Sequence, residues 1–173
     1  SRELMQMLAY EPAVLLTCVG FYLFAGSFDV SDIAGRNISP IVYLPGFFVA
    51  FVFILTIKMR KSPFDLSTSH HAHQELVKGL TTEMGAQNLA LFEVTEWYEN
   101  IFLLGVVGLF FVNSNPISYL WAAVAVLAVY FLEILIDNTS ARIKWEKMVS
   151  VTWLVTLFSA GVNLLVLMLI SLR

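Results

Sequence analysis

Six acidic residues occupy a stretch of the chain that contains no basic residue. Between Gly79 and Ala141 the sequence has no Lys, Arg or His. The acids of this stretch are Glu83, Glu93, Glu96, Glu99, Glu133 and Asp137. An ionised carboxylate inside a bilayer is costly unless it is paired or solvated. These groups must therefore be protonated, reach water or pair with other segments. Because burial and like-charge crowding bring carboxylate pKa values toward neutrality, such groups are suited to passing protons.

The acids of this stretch differ in how strongly they point to an ion path. Glu133 lies deep in an apolar run, and we predict an ion-path role for it on this membrane-cost argument alone. The alternative for Glu133 is a buried structural hydrogen bond. For Glu93, Glu96 and Glu99 the alternative is a place on the water-facing first turns of a helix, although Glu96 lies nearest the apolar half. We interpret Asp137 as an interfacial residue at a helix end.

Glu11 directly precedes Pro12, and its role depends on where the first helix begins. If the helix begins at Pro12, Glu11 is a simple end residue, because proline is common in a first turn. If residues 2–10 already belong to the helix, Pro12 kinks it and frees a backbone carbonyl. Glu11 would then lie inside the membrane. The apolar spacing before Tyr10 favours this longer helix.

The composition places these acids in a membrane protein. The 173-residue chain is 58% apolar and 13% charged, with a mean hydropathy of +0.78. Soluble domains average about 45–50% apolar and about 25% charged residues. The lone Cys18 excludes an internal disulfide and a cysteine-ligated cluster within this chain. A net charge of −3 gives no support for a nucleic-acid partner.

Five continuous apolar stretches predict an all-α polytopic membrane protein with five transmembrane helices. A spanning helix needs roughly 20 mostly apolar residues, and the alternating pattern of a transmembrane barrel does not occur in the sequence. We expect residues 1–173 to form a single membrane domain with one long connection over residues 58–88. The predicted spans are about Pro12 to Phe28, Ile41 to Ile57, Asn88 to Val112 (most apolar from Asn100), Ile117 to Ile136 and Met148 to Leu172.

The basic residues predict the orientation. With five spans, the N-terminus and the connections after the second and fourth spans lie on one side of the membrane. The other side carries only Arg36 and Arg173. Because Lys and Arg favour the cytoplasmic side, we expect the long connection to be cytoplasmic and the C-terminus external in the cell (inner, cytoplasmic) membrane. The basic residues on the predicted cytoplasmic side are Arg2, Lys58, Arg60, Lys61, Lys78, Arg142, Lys144 and Lys147.

The long connection contains three histidines, His70, His71 and His73. They could bind a metal, but three ligands from one tetrad rarely converge on one ion. We interpret them as part of a polar, titratable loop at a subunit interface.

The connection also carries motifs that resemble a known family. Ser62–Leu66, Glu75–Gly79 and Thr82-Glu83 are similar to the cytoplasmic loop of the complex I membrane subunit 1 family. That family has eight helices and an external C-terminus, so the five predicted spans resemble helices four to eight. We therefore expect the chain to be the C-terminal portion of a longer subunit. Further matches over most of the chain are Tyr10-Glu11, Gly26–Asp29, Ala90–Phe92 with Glu96, and Arg142–Glu146.

One segment distinguishes the branches of this family. Quinone-reducing members carry a short carboxylate-rich stretch where this chain has the longer, histidine-containing Ser67–Gln74. The stretch resembles the energy-converting [NiFe] hydrogenase and formate hydrogenlyase branch. A family lysine in helix eight is replaced by an apolar residue near Leu154, which departs from the family's ion path.

The resemblance implies a non-catalytic membrane subunit that docks a peripheral hydrogenase module and couples its electron transfer to movement of H⁺ or Na⁺. No cofactor or metal is expected in this chain, since the [NiFe] centre and iron–sulfur clusters belong to partner subunits. The implied partners are hydrogenase large and small subunits, a ferredoxin-like subunit, antiporter-like membrane subunits and the lipid bilayer. The alternatives are a quinone-chamber subunit of a complex I-type NADH:quinone oxidoreductase and a passive anchor of the peripheral arm. A stand-alone transporter is disfavoured, because no repeated broken-helix pattern occurs in the sequence.

The resemblance also assigns residues to two roles. The ion-path carboxylates are Glu11, Glu75, Glu83 and Glu96, to which the membrane-cost argument adds Glu133. Lys61 and Asp65 either form a loop ion pair or serve loop architecture alone. The expected docking loop for the peripheral arm comprises Lys61, Asp65, His70, His71, His73 and Lys78.

Overall fold

The computed structural model describes residues 2–59, 84–140 and 145–171, and these ranges are helical without a β-strand. This confirms the prediction of an all-α fold. The helices are α1 (Arg2–Ala25), α2 (Val30–Ala34), α3 (Pro45–Lys58), α4 (Ala86–Leu109), α5 (Ile117–Thr139), α6 (Trp145–Thr156) and α7 (Val162–Ser171). A 3₁₀ turn (Pro40–Val42) precedes α3, and a π-helical turn (Leu157–Gly161) joins α6 to α7.

Three helices are long and apolar enough to cross a membrane: Met7–Ala25, Ile117–Thr139 and Lys147–Ile170. The third, which we call the last span, combines α6, the π turn and α7. Helix α3 is apolar but shorter, and α4 carries Glu93, Glu96 and Glu99. These helices confirm a polytopic membrane protein, whereas the count of five spans and the single membrane domain stay predictions.

Helix α1 runs from Arg2 through Pro12, so the longer of the two alternatives for the first helix is correct. It ends at Ala25 because Gly26 adopts a φ of +74°, a left-handed conformation that favours glycine. The Gly26 amide donates to the Tyr22 carbonyl over 2.7 Å. Helix α4 begins at Ala86, so the long connection ends before residue 88.

Helix α3 occupies the centre of the described helices. It packs against α1, α4 and the last span, while α4 packs along α5. Pro45 lies in its first turn, where the missing amide hydrogen costs no helical hydrogen bond. Its side chains are apolar around most of the helix, as expected of a helix buried on several sides. The ring of Phe110, at the end of α4, lies 4.7 Å from that of Phe21 and 5.3 Å from that of Phe48.

Two connections meet at one end of the structure, as the predicted topology requires. The segment between α1 and α3 and the turn between α4 and α5 are joined by backbone hydrogen bonds. The Ile41 amide donates to the Phe110 carbonyl over 2.8 Å, and the Ser114 amide donates to the Arg36 carbonyl over 2.9 Å. The side of the membrane on which this end lies stays a prediction.

The π turn of the last span packs closely on the start of α3. A Cβ atom added at Gly46 would lie 2.3 Å from the Ser159 carbonyl oxygen, so this approach requires glycine. Beyond the turn, Asn163 accepts from the Gly46 amide over 3.2 Å and donates to the Tyr43 carbonyl over 3.0 Å. π-Helical turns are rare and occur frequently at functional sites.

Asn163→Leu should destabilise the protein, because it removes both hydrogen bonds to the start of α3. We expect a loss of about 1–3 kcal/mol, since two backbone groups lose their partner. The measurement is the temperature at which the detergent-solubilised protein aggregates, with Asn138→Leu as control. Asn138 is exposed near the end of α5 and donates to a carbonyl of its own helix. Equal aggregation temperatures for the two variants would contradict this expectation.

Candidate functional site: a polar layer at the end of α3

The end of α3 carries two polar residues that contact acidic residues of neighbouring helices. We call the set Tyr10, Thr56, Lys58, Glu99 and Glu133 the polar layer; it draws on α1, α3, α4 and α5. It borders an apolar cluster that includes Tyr10 itself. The other members of that cluster are Ala9, Ala13, Ile54, Ile57 and Met148.

Glu133 is the most deeply placed acid of the described residues. Its residue surface is 0% exposed, and its neighbour Thr56 is 3% exposed. The Thr56 hydroxyl lies 3.3 Å from Glu133 Oε1 and 3.4 Å from the Val52 carbonyl, two acceptors between which it can divide its proton. A carboxyl group in such surroundings is costly to ionise. It can hold a proton, and it can release one only where a path to another acceptor exists.

Lys58 is the cation of the polar layer. Its ammonium group forms an ion pair with Glu99 of α4 and lies 4.5 Å from the ring centroid of Tyr10 on α1. The Lys58 side chain is 17% exposed and that of Glu99 is 45% exposed. A basic residue in the last turn of a helix also interacts favourably with the helix dipole. Of the three options for the acids, Glu99 therefore uses pairing with another segment.

The Lys58–Glu99 ion pair was not predicted from the sequence. Lys58 served there only as a marker of orientation, and Glu99 had a water-facing alternative. The two residues are 41 positions apart, so their contact depends on how α3 packs on α4. A usable signal was nevertheless present, because Lys58 ends an apolar segment that must pack against the acid-bearing one.

The ion pair also shows how far α4 extends past α3. Glu99 lies 13 residues after the start of α4, whereas its partner Lys58 is the last residue of α3. At a rise of about 1.5 Å per residue, the first half of α4 continues roughly 20 Å beyond that contact. Glu93 is exposed and Glu96 half-buried on this first half. Glu93 thus fits the water-facing alternative, and Glu96 lies between that region and the polar layer.

The remaining predicted residues are distributed as follows. Glu11 is exposed on α1, next to the Tyr10 of the polar layer, and Asp137 is half-buried two residues before the end of α5. That Glu11, Glu96 and Glu133 act in one ion path stays a prediction. The other predicted path and docking residues lie outside the described residues: Lys61, Asp65, His70, His71, His73, Glu75, Lys78 and Glu83.

Comparison with known proteins identifies the family. A family profile described as NADH dehydrogenase matches residues 1–168. The chain is 33% identical over 171 residues to the H-type subunit 1 of the NADH-quinone oxidoreductase of Geobacter metallireducens, and 30% identical over 171 residues to the H-type subunit 2 of Geobacter sulfurreducens. It is 29% identical over 180 residues to the corresponding H-type subunit of Bacillus thuringiensis.

These matches cover 95–98% of this chain but only 51–53% of each relative, so the chain spans about half the length of the curated relatives it matches. They confirm the resemblance to the complex I membrane subunit, whereas the hydrogenase branch stays a prediction. The extent of the profile match shows that the chain belongs to the NADH dehydrogenase family of membrane subunits.

Proposed function

We propose that this chain is the ion-translocating part of the membrane subunit of a complex I-type oxidoreductase. In this role it couples electron transfer in peripheral subunits to the movement of H⁺ or Na⁺ across the membrane. The observation that carries the proposal is the fully buried carboxyl group of Glu133, which the Thr56 hydroxyl contacts in the same layer as the Lys58–Glu99 ion pair.

A passive anchor explains this layer poorly. Burying a carboxyl group costs free energy unless its hydrogen bonds are well satisfied, and an apolar residue of similar size avoids that cost. A protein that only holds a peripheral arm gains nothing from an acid at this depth. Intramembrane acids more commonly belong to proton or ion pathways.

The electron acceptor distinguishes two forms of the proposal. The names of the relatives favour quinone, since each relative is a component of an NADH-quinone oxidoreductase. We therefore place quinone chemistry first. The second candidate is a hydrogenase-type complex, favoured by the histidine-containing stretch Ser67–Gln74, which lies outside the described residues.

The surroundings of the chain in the complex are also part of the proposal. The partners are peripheral subunits that hold the redox centres on the cytoplasmic side, further membrane subunits and lipid. Apolar side chains on α4, including Trp97, Tyr98 and Phe102, are 66–70% exposed. A neighbouring membrane subunit or lipid would cover them. The long connection would face the cytoplasm and dock the peripheral arm.

The acceptor can be assigned by purifying the complex through an affinity tag on this chain. We expect NADH to reduce decylubiquinone in the preparation. Release of H₂ from reduced methyl viologen, without quinone reduction, would replace the first form of the proposal with the second. In inverted membrane vesicles, the active pair of substrates should drive quenching of an acridine dye by H⁺ or uptake of radiolabelled Na⁺. Electron transfer without uptake of either ion would overturn both forms.

A further inference from the structure

Lys58 is placed to act on the acids of two helices through the last turns of α3. Its ammonium group pairs with Glu99 of α4, and the Thr56 hydroxyl contacts Glu133 of α5. The other charged side chains described on elements near this end are Lys147, which is exposed at the start of α6, and Glu11 on α1. The Lys58 ammonium is thus the cation that the described structure brings to an acid of α4.

The surroundings of Lys58 fix this ammonium group in place. The Tyr10 ring provides a cation–π contact from α1, and Glu99 provides the opposite charge from α4. With 17% of the side chain exposed, solvent screens the interaction only partly. A cation this close to a carboxyl group favours the ionised form of that group.

We infer that Lys58 is a positioning residue of the ion path: its ammonium group keeps Glu99 ionised where the acids on the first half of α4 reach the polar layer. This inference rests on the proposed function. An ion that arrives from the side of Glu93 and Glu96 then meets a carboxylate whose charge is already balanced. Movement of the Lys58 ammonium away from Glu99 makes that carboxylate available to the ion.

The first test is whether Lys58 sets the protonation of Glu99. In the purified complex with Lys58→Gln, Glu99 should take up a proton at neutral pH and add to the infrared absorption of protonated carboxyl groups. The added signal should disappear in the double variant Lys58→Gln/Glu99→Gln. Lys147→Gln, which removes an exposed cation from the start of α6, is the control and should leave the spectrum unchanged. No added signal in Lys58→Gln would overturn the inference.

The second test separates positioning from a purely structural ion pair. In inverted vesicles, Lys58→Gln should lower ion uptake about tenfold at neutral pH, and uptake should recover at higher pH, where Glu99 ionises again. Lys58→Arg should retain uptake. The exchanged pair Lys58→Glu/Glu99→Lys keeps the contact between α3 and α4 but moves the carboxylate to α3. It should assemble and remain defective, whereas full recovery of uptake in this double variant would overturn the inference.

Failure of the inference differs from failure of the proposed function. If Glu133→Gln abolishes ion uptake while Lys58→Gln behaves like the unmodified protein, the inference alone is wrong. If neither Glu133→Gln nor Glu96→Gln alters uptake, the proposed function is wrong, whatever the infrared spectra show.

Discussion

Replacing Glu133 with leucine is expected to abolish ion translocation without lowering the stability of the protein. The substitution exchanges a fully buried carboxyl group for an apolar side chain of similar size. This removes the cost of burying a polar group. Thr56 keeps its second acceptor, the Val52 carbonyl. We expect an unchanged or higher aggregation temperature for the purified complex and at least about a tenfold loss of ion uptake by vesicles.

The stability result decides between the two interpretations of Glu133. If the residue makes only a structural hydrogen bond, Glu133→Leu should lower the aggregation temperature, and Glu133→Gln, which keeps an acceptor for Thr56, should restore it. If it belongs to an ion path, both variants should be stable and both should lose ion uptake. A control is Ile136→Leu, one turn further along α5 on a half-buried apolar residue, which should affect neither measurement.

Gly46→Ala is expected to cause the largest loss of stability among single-methyl additions in the described helices. The new Cβ atom would lie 2.3 Å from the Ser159 carbonyl oxygen and 2.7 Å from Asn163 Cβ, so the last span must move away from α3. Overpacking of this kind costs about 1–3 kcal/mol. The movement would also strain the two hydrogen bonds of Asn163 to the start of α3.

The matched control for this substitution is Gly105→Ala on α4. Its added Cβ atom meets no atom within 4 Å, and alanine is favoured over glycine in a helix by about 1 kcal/mol. The two variants should therefore shift the aggregation temperature in opposite directions. A Gly46→Ala protein as stable as the unmodified protein would show that the contact between α3 and the π turn is not tight.

The helix ends were predictable where a residue type enforces them. Gly26 ends α1 through its positive φ, Pro45 begins α3, and Pro116 immediately precedes α5. The course of α1 through Pro12 followed from the apolar spacing before it. The π turn in the last span was not predicted, because its sequence remains apolar and contains no proline.

The candidate site was predictable only in part. The burial of Glu133 followed from one sequence and the cost of an acid in an apolar helix. The partners did not follow, since the Thr56–Glu133 and Lys58–Glu99 contacts join residues 77 and 41 positions apart. Such contacts depend on the rotation of each helix about its axis. Apolar helices with little difference between their faces leave that rotation undetermined.

The ratio of ions taken up to electrons transferred is the most direct test of the central claim that these carboxyl groups carry ions. It should be measured in inverted vesicles that contain the intact complex with Glu96→Gln, Glu133→Gln or both, at equal amounts of assembled complex. We predict that each single variant lowers the ratio and that the double variant lowers it no further, because the two groups act in series. An unchanged ratio in all three variants would contradict the claim.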